Sequence, residues 1–130
     1  MSDHPVLLQS RELTHSVIGA AMSVHSALGP GFLESVYRNA LAWEIRRRGT
    51  GVELGQRIQV RYSGVPVGDF VADLLVESAL IVEVKAVKTL ATAHEVQLVN
   101  YLTATGIEIG LLLNFGAPRL QFRRKLRSLS

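Results

Sequence analysis

Three charged residues stand in stretches that are otherwise apolar: Asp73 within Phe70–Val76, and Glu83 and Lys85 within the run Leu80–Val87. A strand at the centre of a sheet buries better without charge, so the register of these two segments is the informative quantity. If Val76 pairs with Leu80 across a three-residue loop, Glu77-Ser78-Ala79, then Asp73 stands opposite Glu83 and Lys85 follows two residues later on the same face. The Cβ atoms of such a pair lie about 5 Å apart. Two half-buried carboxylates at that spacing oppose each other's ionisation unless a cation neutralises them. Oxygen donors suit a hard divalent ion, Mg²⁺ or Mn²⁺, and such an ion keeps waters that can attack a phosphodiester. Lys85 beside it could orient or deprotonate the water, or offset charge on the phosphate in the transition state. On spacing alone a second reading stays open, an ion-pair network of Asp73, Glu83 and Lys85 at the sheet edge with no metal. A two-residue loop would throw Asp73 onto the other face and dissolve the site.

The elements that must hold these residues can be read along the chain. Apolar positions at three- and four-residue steps predict a helix over 13–28 that stops at Gly29, and the Gly29-Pro30-Gly31 break cannot continue it. A second helix is predicted over 33–48, with Leu33, Val36, Tyr37, Ala40, Leu41 and Trp43/Glu44 in phase and Gly49 as its stop. The period then changes to two. Ile58, Val60 and Tyr62 alternate with Gln59 and Arg61, Ser63-Gly64 supplies a turn, and strands follow over 65–76 and 80–87. Thr92 to Glu95 has the form of a capping box and opens a helix that closes at Gly106, after which 107–115 is a buried strand. The tail from Arg119 alternates poorly and suits an edge strand or a short helix. A helix between two strands lets them lie parallel, so the expected fold class is α/β (α+β), a mixed four-stranded sheet flanked by helices.

Composition bounds what such a site can be. The chain of 130 residues is 48% hydrophobic and 19% charged, with a mean hydropathy of +0.23, which describes one soluble domain rather than a disordered chain. With no cysteine there is no thiolate metal site and no cysteine nucleophile, and the expected compartment is the cytoplasm. The N-terminus lacks the pattern of a secretory signal, and no apolar run reaches the roughly 18 residues of a membrane span. The net charge is only +3, but eight of the fourteen basic residues fall in two clusters, Arg46-Arg47-Arg48 and Arg119, Arg123, Arg124, Lys125, Arg127. Such clusters suit a polyanion, and equally suit a solvated helix end and tail.

Asp73, nine intervening residues and then Glu83-Val84-Lys85 resembles the motif of the PD-(D/E)XK nuclease superfamily, with Ala72 where the name has Pro. Gly31-Phe32-Leu33-Glu34-Ser35-Val36-Tyr37 resembles the signature of the GxxExxY family within it. Gly19-Ala20-Ala21, His25, Leu28 to Gly31, Ala72 to Val76, His94-Glu95, Gln97-Leu98 and Asn114-Phe115-Gly116 are similar to that family too, so the likeness runs from about Leu13 to Leu120. The resemblance implies a restriction-endonuclease-like αβββαβ core with an extra N-terminal helix. It implies a metal held by Asp73, Glu83 and the backbone carbonyl of Val84, with Lys85 catalytic and Glu34 contributing from the first core helix, directly or through water. Gln97 to Tyr101 resembles the QxxxY element of RecB-like nucleases. Residues four apart share a helical face, so Gln97 could hold the attacking water or Lys85 while Tyr101 reaches the phosphate. Val71 departs from the pattern where an arginine is expected.

The expected function is metal-dependent hydrolysis of nucleic acid, preferentially DNA, by a water held on the ion. Arg46, Arg47, Arg48, Arg119, Arg123 and Arg124 are the candidate phosphate contacts, and a homodimer is the assembly that would cut both strands. A noncatalytic nucleic-acid-binding or protein-interaction module on the same scaffold is the alternative, and an enzyme acting on a small nucleotide a third reading. Tyr37, Tyr101 and Trp43 read as core aromatics at least as well as ligands, His25 as a helix-end structural residue, and His94 as a cap neighbour.

Overall fold

The computed structural model describes the backbone of residues 5–127 and the side chains of residues 11–127. Helices α1 (Pro5–Leu28) and α2 (Glu34–Arg47) precede strands β1 (Val52–Tyr62), β2 (Val65–Val76) and β3 (Leu80–Lys85); α3 (Thr92–Thr105), β4 (Ile109–Asn114) and β5 (Gln121–Leu126) follow. The five strands form one sheet in the order β1-β2-β3-β4-β5. All neighbours are antiparallel except β3 and β4, which run parallel because α3 carries the chain back between them.

Helices cover both faces of the sheet. On one face α1 and α2 bury Val17, Ala21, Tyr37, Leu41 and Ile45 against Leu74, Leu80, Val82, Val84, Leu111 and Leu113. On the other, Leu98 and Leu102 of α3 pack on Ile81, Leu112, Ala72 and Ile58. Burial on both sides explains why β3 and β4 read as nearly continuous apolar runs. Each fully buried Leu or Val contributes about 1.5–3 kcal/mol of apolar transfer.

Several boundaries differ from the sequence expectations, each for a local reason. The sheet has five strands rather than four, because the basic tail pairs with β4 as an edge strand. Helix α1 begins at Pro5, well before the expected start at Leu13, while residues 1–4 and 128–130 lie outside the described residues. Leu33, which caps α2, and Val36 and Trp43 on it are exposed, and the inward face is Tyr37, Leu41 and Glu44, as expected, joined by Ala42 and Ile45. Glu44 can be buried because Arg47 and Arg48 both donate to it, Arg47 chiefly, holding its carboxyl below the usual range. The Trp43 ring lies outside, under the Arg47 guanidinium at 5.4 Å. The cap of α3 is Ala91, not Thr92. The His94 amide donates to the Ala91 carbonyl (3.0 Å) and the Ala91 amide donates to His94 Nδ1 (3.2 Å), leaving Glu95 to pair with Lys125.

Strand β3 ends at Lys85 rather than Val87, because the chain is captured there by Asn114. Asn114 is fully buried; its Oδ1 accepts from the amides of Val87 and Gly116, and its Nδ2 donates to the Val87 carbonyl and Gln121 Oε1. Gly116 lies so close to this segment that an added Cβ would fall 2.4 Å from the Val87 nitrogen and 2.6 Å from the Ala86 carbonyl carbon. At Gly110 the nearest atoms to an added Cβ would all belong to the Leu98 side chain, the first at 2.8 Å. Backbone cannot yield as a leucine rotamer can. Gly116→Ala is therefore expected to cost about 3 kcal/mol of stability and Gly110→Ala about 1 kcal/mol, read from urea unfolding midpoints.

Candidate active site

The β2–β3 ladder has the expected register: Val76 pairs with Leu80, Leu75 with Ile81 and Leu74 with Val82, around the three-residue turn Glu77-Ser78-Ala79. It stops there, one step short of Asp73 and Glu83. At that level β1 contains Gly55 at φ +70°, between the pairs Leu54–Leu74 and Gln56–Ala72, a conformation that glycine adopts without steric cost. Ala72 and Leu74, only two residues apart, bury on opposite sides of the sheet. The outer half of the β1–β2 ribbon thus turns away from β3 and leans over α3. Asp73 sits at the fork.

At the fork, side chains replace the backbone ladder. The Asp73 amide donates to Glu83 Oε2 (2.9 Å), and the Val84 amide donates to Asp73 Oδ2 (2.8 Å). Both carboxylates are drawn into the gap between the strands, where Glu83 is only 6% exposed. Burial first, and then the charge of Asp73, push the Glu83 carboxyl from its ordinary 4.5 up to about 7. The Asp73 amide and Lys85 act in the opposite direction, and Glu34 adds to the rise. Among the described residues Asp73 has one cationic contact, from Arg38 Nη1 to its Oδ1 at 3.4 Å.

The other predicted residues take distinct places. Lys85 is half-buried on the same side of β3 as Glu83; its carbonyl accepts from the Phe115 amide (2.8 Å), while among the described residues its ammonium forms no hydrogen bond or ion pair. Glu34 is exposed in the first turn of α2, within electrostatic reach of Glu83. Tyr101 of α3 stacks on Phe70 with ring centres 3.6 Å apart. Burial, then the charges of Glu83 and Asp73, raise its hydroxyl further above the ordinary phenol value, so it stays a proton donor facing the acids. Gln97 lies one turn earlier on α3 and is exposed.

The arginines divide. Arg46 donates to the Val52 carbonyl, Arg47 and Arg48 to Glu44, and Arg48 also to Ser23. They lie about 18 Å or more along α2 from Glu34, so the structure does not bring them to the acid pair. On β5, Arg123 is level with Leu112 of β4 and so with Glu83 of β3, on the α3 side, whereas the neighbouring Arg124 points to the opposite face beside Arg11 and His15. Arg119 is exposed in the β4–β5 connection. Tyr37 has a structural position: fully buried, stacked on Phe115, it donates to the Gly29 carbonyl and accepts from the Phe32 amide (3.1 Å), pinning the loop ahead of Glu34. His25 is likewise structural, its Nε2 contacting the Ala117 carbonyl at 3.0 Å. Arg38 escaped the sequence reading. Its only available signal was its position one turn after Glu34.

Residues 11–125 match the sequence family described as the PD-(D/E)XK nuclease superfamily. The chain belongs to that superfamily. Its fold is similar to that of a solved structure titled "Crystal structure of SSO0001", with a TM-score of 0.61 at 16% identity, over 75% of this chain and 52% of that one. The chain therefore spans about half the length of that protein, and the likeness is one of fold. No curated protein compared with it matches. Among the described residues no helix is long and apolar enough to cross a membrane.

In this superfamily member, a divalent cation fits the fork on chemical grounds. The donors are hard oxygens, and the charge on Asp73 opposes ionisation of Glu83. Among the described residues no third Asp, Glu or His joins them closely enough to form a three-ligand group, so an ion held here would need backbone carbonyl and water as further donors, which Mg²⁺ accepts. The raised Glu83 value has a signed consequence without metal. The folded state holds the proton that the unfolded chain has already lost, so this residue's contribution is greatest below pH 4.5, falls through the interval up to about pH 7 and is flat above. Chemical unfolding in EDTA should show wild-type stability decreasing by on the order of 3 kcal/mol more than that of Glu83→Gln across that interval.

Proposed function

We propose that this chain is a divalent-cation-dependent nuclease of the GxxExxY type that hydrolyses phosphodiester bonds of DNA. The observation that carries the reading is the fork: two carboxylates face the same gap, with an unpartnered Lys85 ammonium on the same side of β3. Superfamily membership supports the same chemistry. Asp73, Glu83 and the Val84 carbonyl would hold Mg²⁺ or Mn²⁺, which supplies Lewis-acid polarisation of the phosphate and acidifies water.

The chain's own groups account for the rest. The backbone amides of Asp73 and Val84 fix each carboxylate in one rotamer, so the donors are preorganised before any substrate arrives. Lys85 lies free to donate to a nonbridging phosphate oxygen and to orient the attacking water. Tyr101, protonated and held by Phe70, is a donor to the phosphate, with Gln97 one turn away to position water or Lys85. Glu34, whose charge Glu83 feels, would contribute from the first turn of α2, directly or through water. Arg123, in rank with Glu83, offers an outer contact to a flanking phosphate. Contacts made by these groups go to phosphates, so the affinity they supply falls steeply with salt.

Purified protein incubated with Mg²⁺ or Mn²⁺ and single-stranded, duplex or branched DNA is expected to cut at least one of these. Asp73→Ala and Lys85→Ala should each lower the rate by about 100-fold or more. Equal cleavage by wild type and both variants would mark a contaminant and end the proposal. A Mn²⁺ titration heat present in wild type and missing in Asp73→Ala is the companion result; its absence would leave only a binding scaffold.

A further inference from the structure

Arg38 is the one guanidinium that the described residues place on the acid pair. Its Nη1 approaches Asp73 Oδ1 at 3.4 Å, a long contact for an ion pair, and its side chain is 34% exposed. It makes no other hydrogen bond with a described residue, unlike Arg46, Arg47 and Arg48, which are tied to Val52, Glu44 and Ser23. The other Asp73 oxygen, Oδ2, is committed to the Val84 amide. Any cation approaching Asp73 from the open side therefore meets the oxygen that Arg38 already faces. A guanidinium and a divalent ion on the same carboxylate repel each other at close range, and the long, partly exposed arginine stem can swing aside at little cost.

Resting on the metal-dependent reading above, we propose that Arg38 is an internal counter-ion of the empty acid pair. Metal binding at Asp73 displaces it, and the freed guanidinium then binds a phosphate of the substrate. Glu34, one turn earlier on α2 and exposed, lies toward the same acids, so the released side chain stays beside the site rather than being lost to solvent. A guanidinium forks onto a phosphate through two parallel N–H donors, which a lysine in its place could not do. Metal occupancy and substrate affinity are thereby coupled through one side chain: the cation that completes the acid site also delivers the positive charge that receives the polyanion.

The test titrates Mn²⁺ calorimetrically into the full chain as wild type, Asp73→Ala, Arg38→Gln and Arg38→Lys, with urea midpoints confirming that each variant is folded. It then measures DNA binding by fluorescence anisotropy in a Lys85→Ala background, with and without Mn²⁺. Loss of competition should make Arg38→Gln bind Mn²⁺ about three- to five-fold more tightly, while Arg38→Lys stays near wild type. The gain in DNA affinity produced by Mn²⁺ should shrink in Arg38→Gln, and the slope of log affinity against log salt should fall by about one. Unchanged or weaker Mn²⁺ binding by Arg38→Gln, or an undiminished Mn²⁺-induced gain in DNA binding, overturns the role of Arg38 while leaving the nuclease reading intact. A wild-type chain with no Mn²⁺ heat beyond that of Asp73→Ala overturns both.

Discussion

Two hydrogen bonds carry the organisation of this molecule: Asp73 N–H to the Glu83 carboxylate, and Val84 N–H to the Asp73 carboxylate. They sit where the β2–β3 ladder ends and the outer β1–β2 ribbon turns toward α3. Amides left unpaired in a buried fork would each cost free energy, and here the acids satisfy them. The arrangement links folding to chemistry directly. The same carboxylates that replace missing backbone acceptors are the ones left electrostatically short of a positive partner.

The surroundings serve that fork. Asn114 captures the chain just past Lys85 and holds the parallel β3–β4 pair at its carboxyl end, while Gly116 allows the backbone approach that makes the capture possible. Tyr37 does the equivalent for α2, bonding the Gly29 carbonyl and Phe32 amide so that the helix starts at Glu34. Phe70 and Tyr101 stack across the gap between the bent ribbon and α3. Among the described residues every buried side-chain polar atom has a hydrogen-bond partner, and at the acid pair the charge of Asp73 still opposes that of Glu83.

Much of this was legible in the sequence, for reasons that can be named. A three-residue turn fixes strand register, so the pairs from Val76–Leu80 to Leu74–Val82, which end one step before Asp73 and Glu83, follow from counting residues. Doubly buried β3 and β4 show themselves as unbroken apolar runs, and α3 ends at Gly106 as its pattern demands. The rest had no one-dimensional signal. The tail hid its strand character because Arg123, Arg124 and Lys125 put charge on both faces. The α2 periodicity placed Tyr37, Leu41 and Glu44 correctly but misplaced Leu33, Val36 and Trp43, since the Arg47 guanidinium over its ring makes an outward tryptophan comfortable. Side-chain bonds to backbone amides across ten residues, and the approach of Arg38 from another element, are properties of the assembled fold alone.

The fifth strand closes the sheet with consequences of its own. An exposed border of unpaired amides and carbonyls invites a strand from another molecule, and the usual deterrent is dense like charge along the rim. Consecutive Arg123, Arg124 and Lys125 place that charge on both sides of β5. A second copy trying to extend the sheet there would bring Arg123 and Arg124 against their own kind, with Lys125 held by Glu95, so this border is guarded against self-association by residues that also lend the chain its alkaline character.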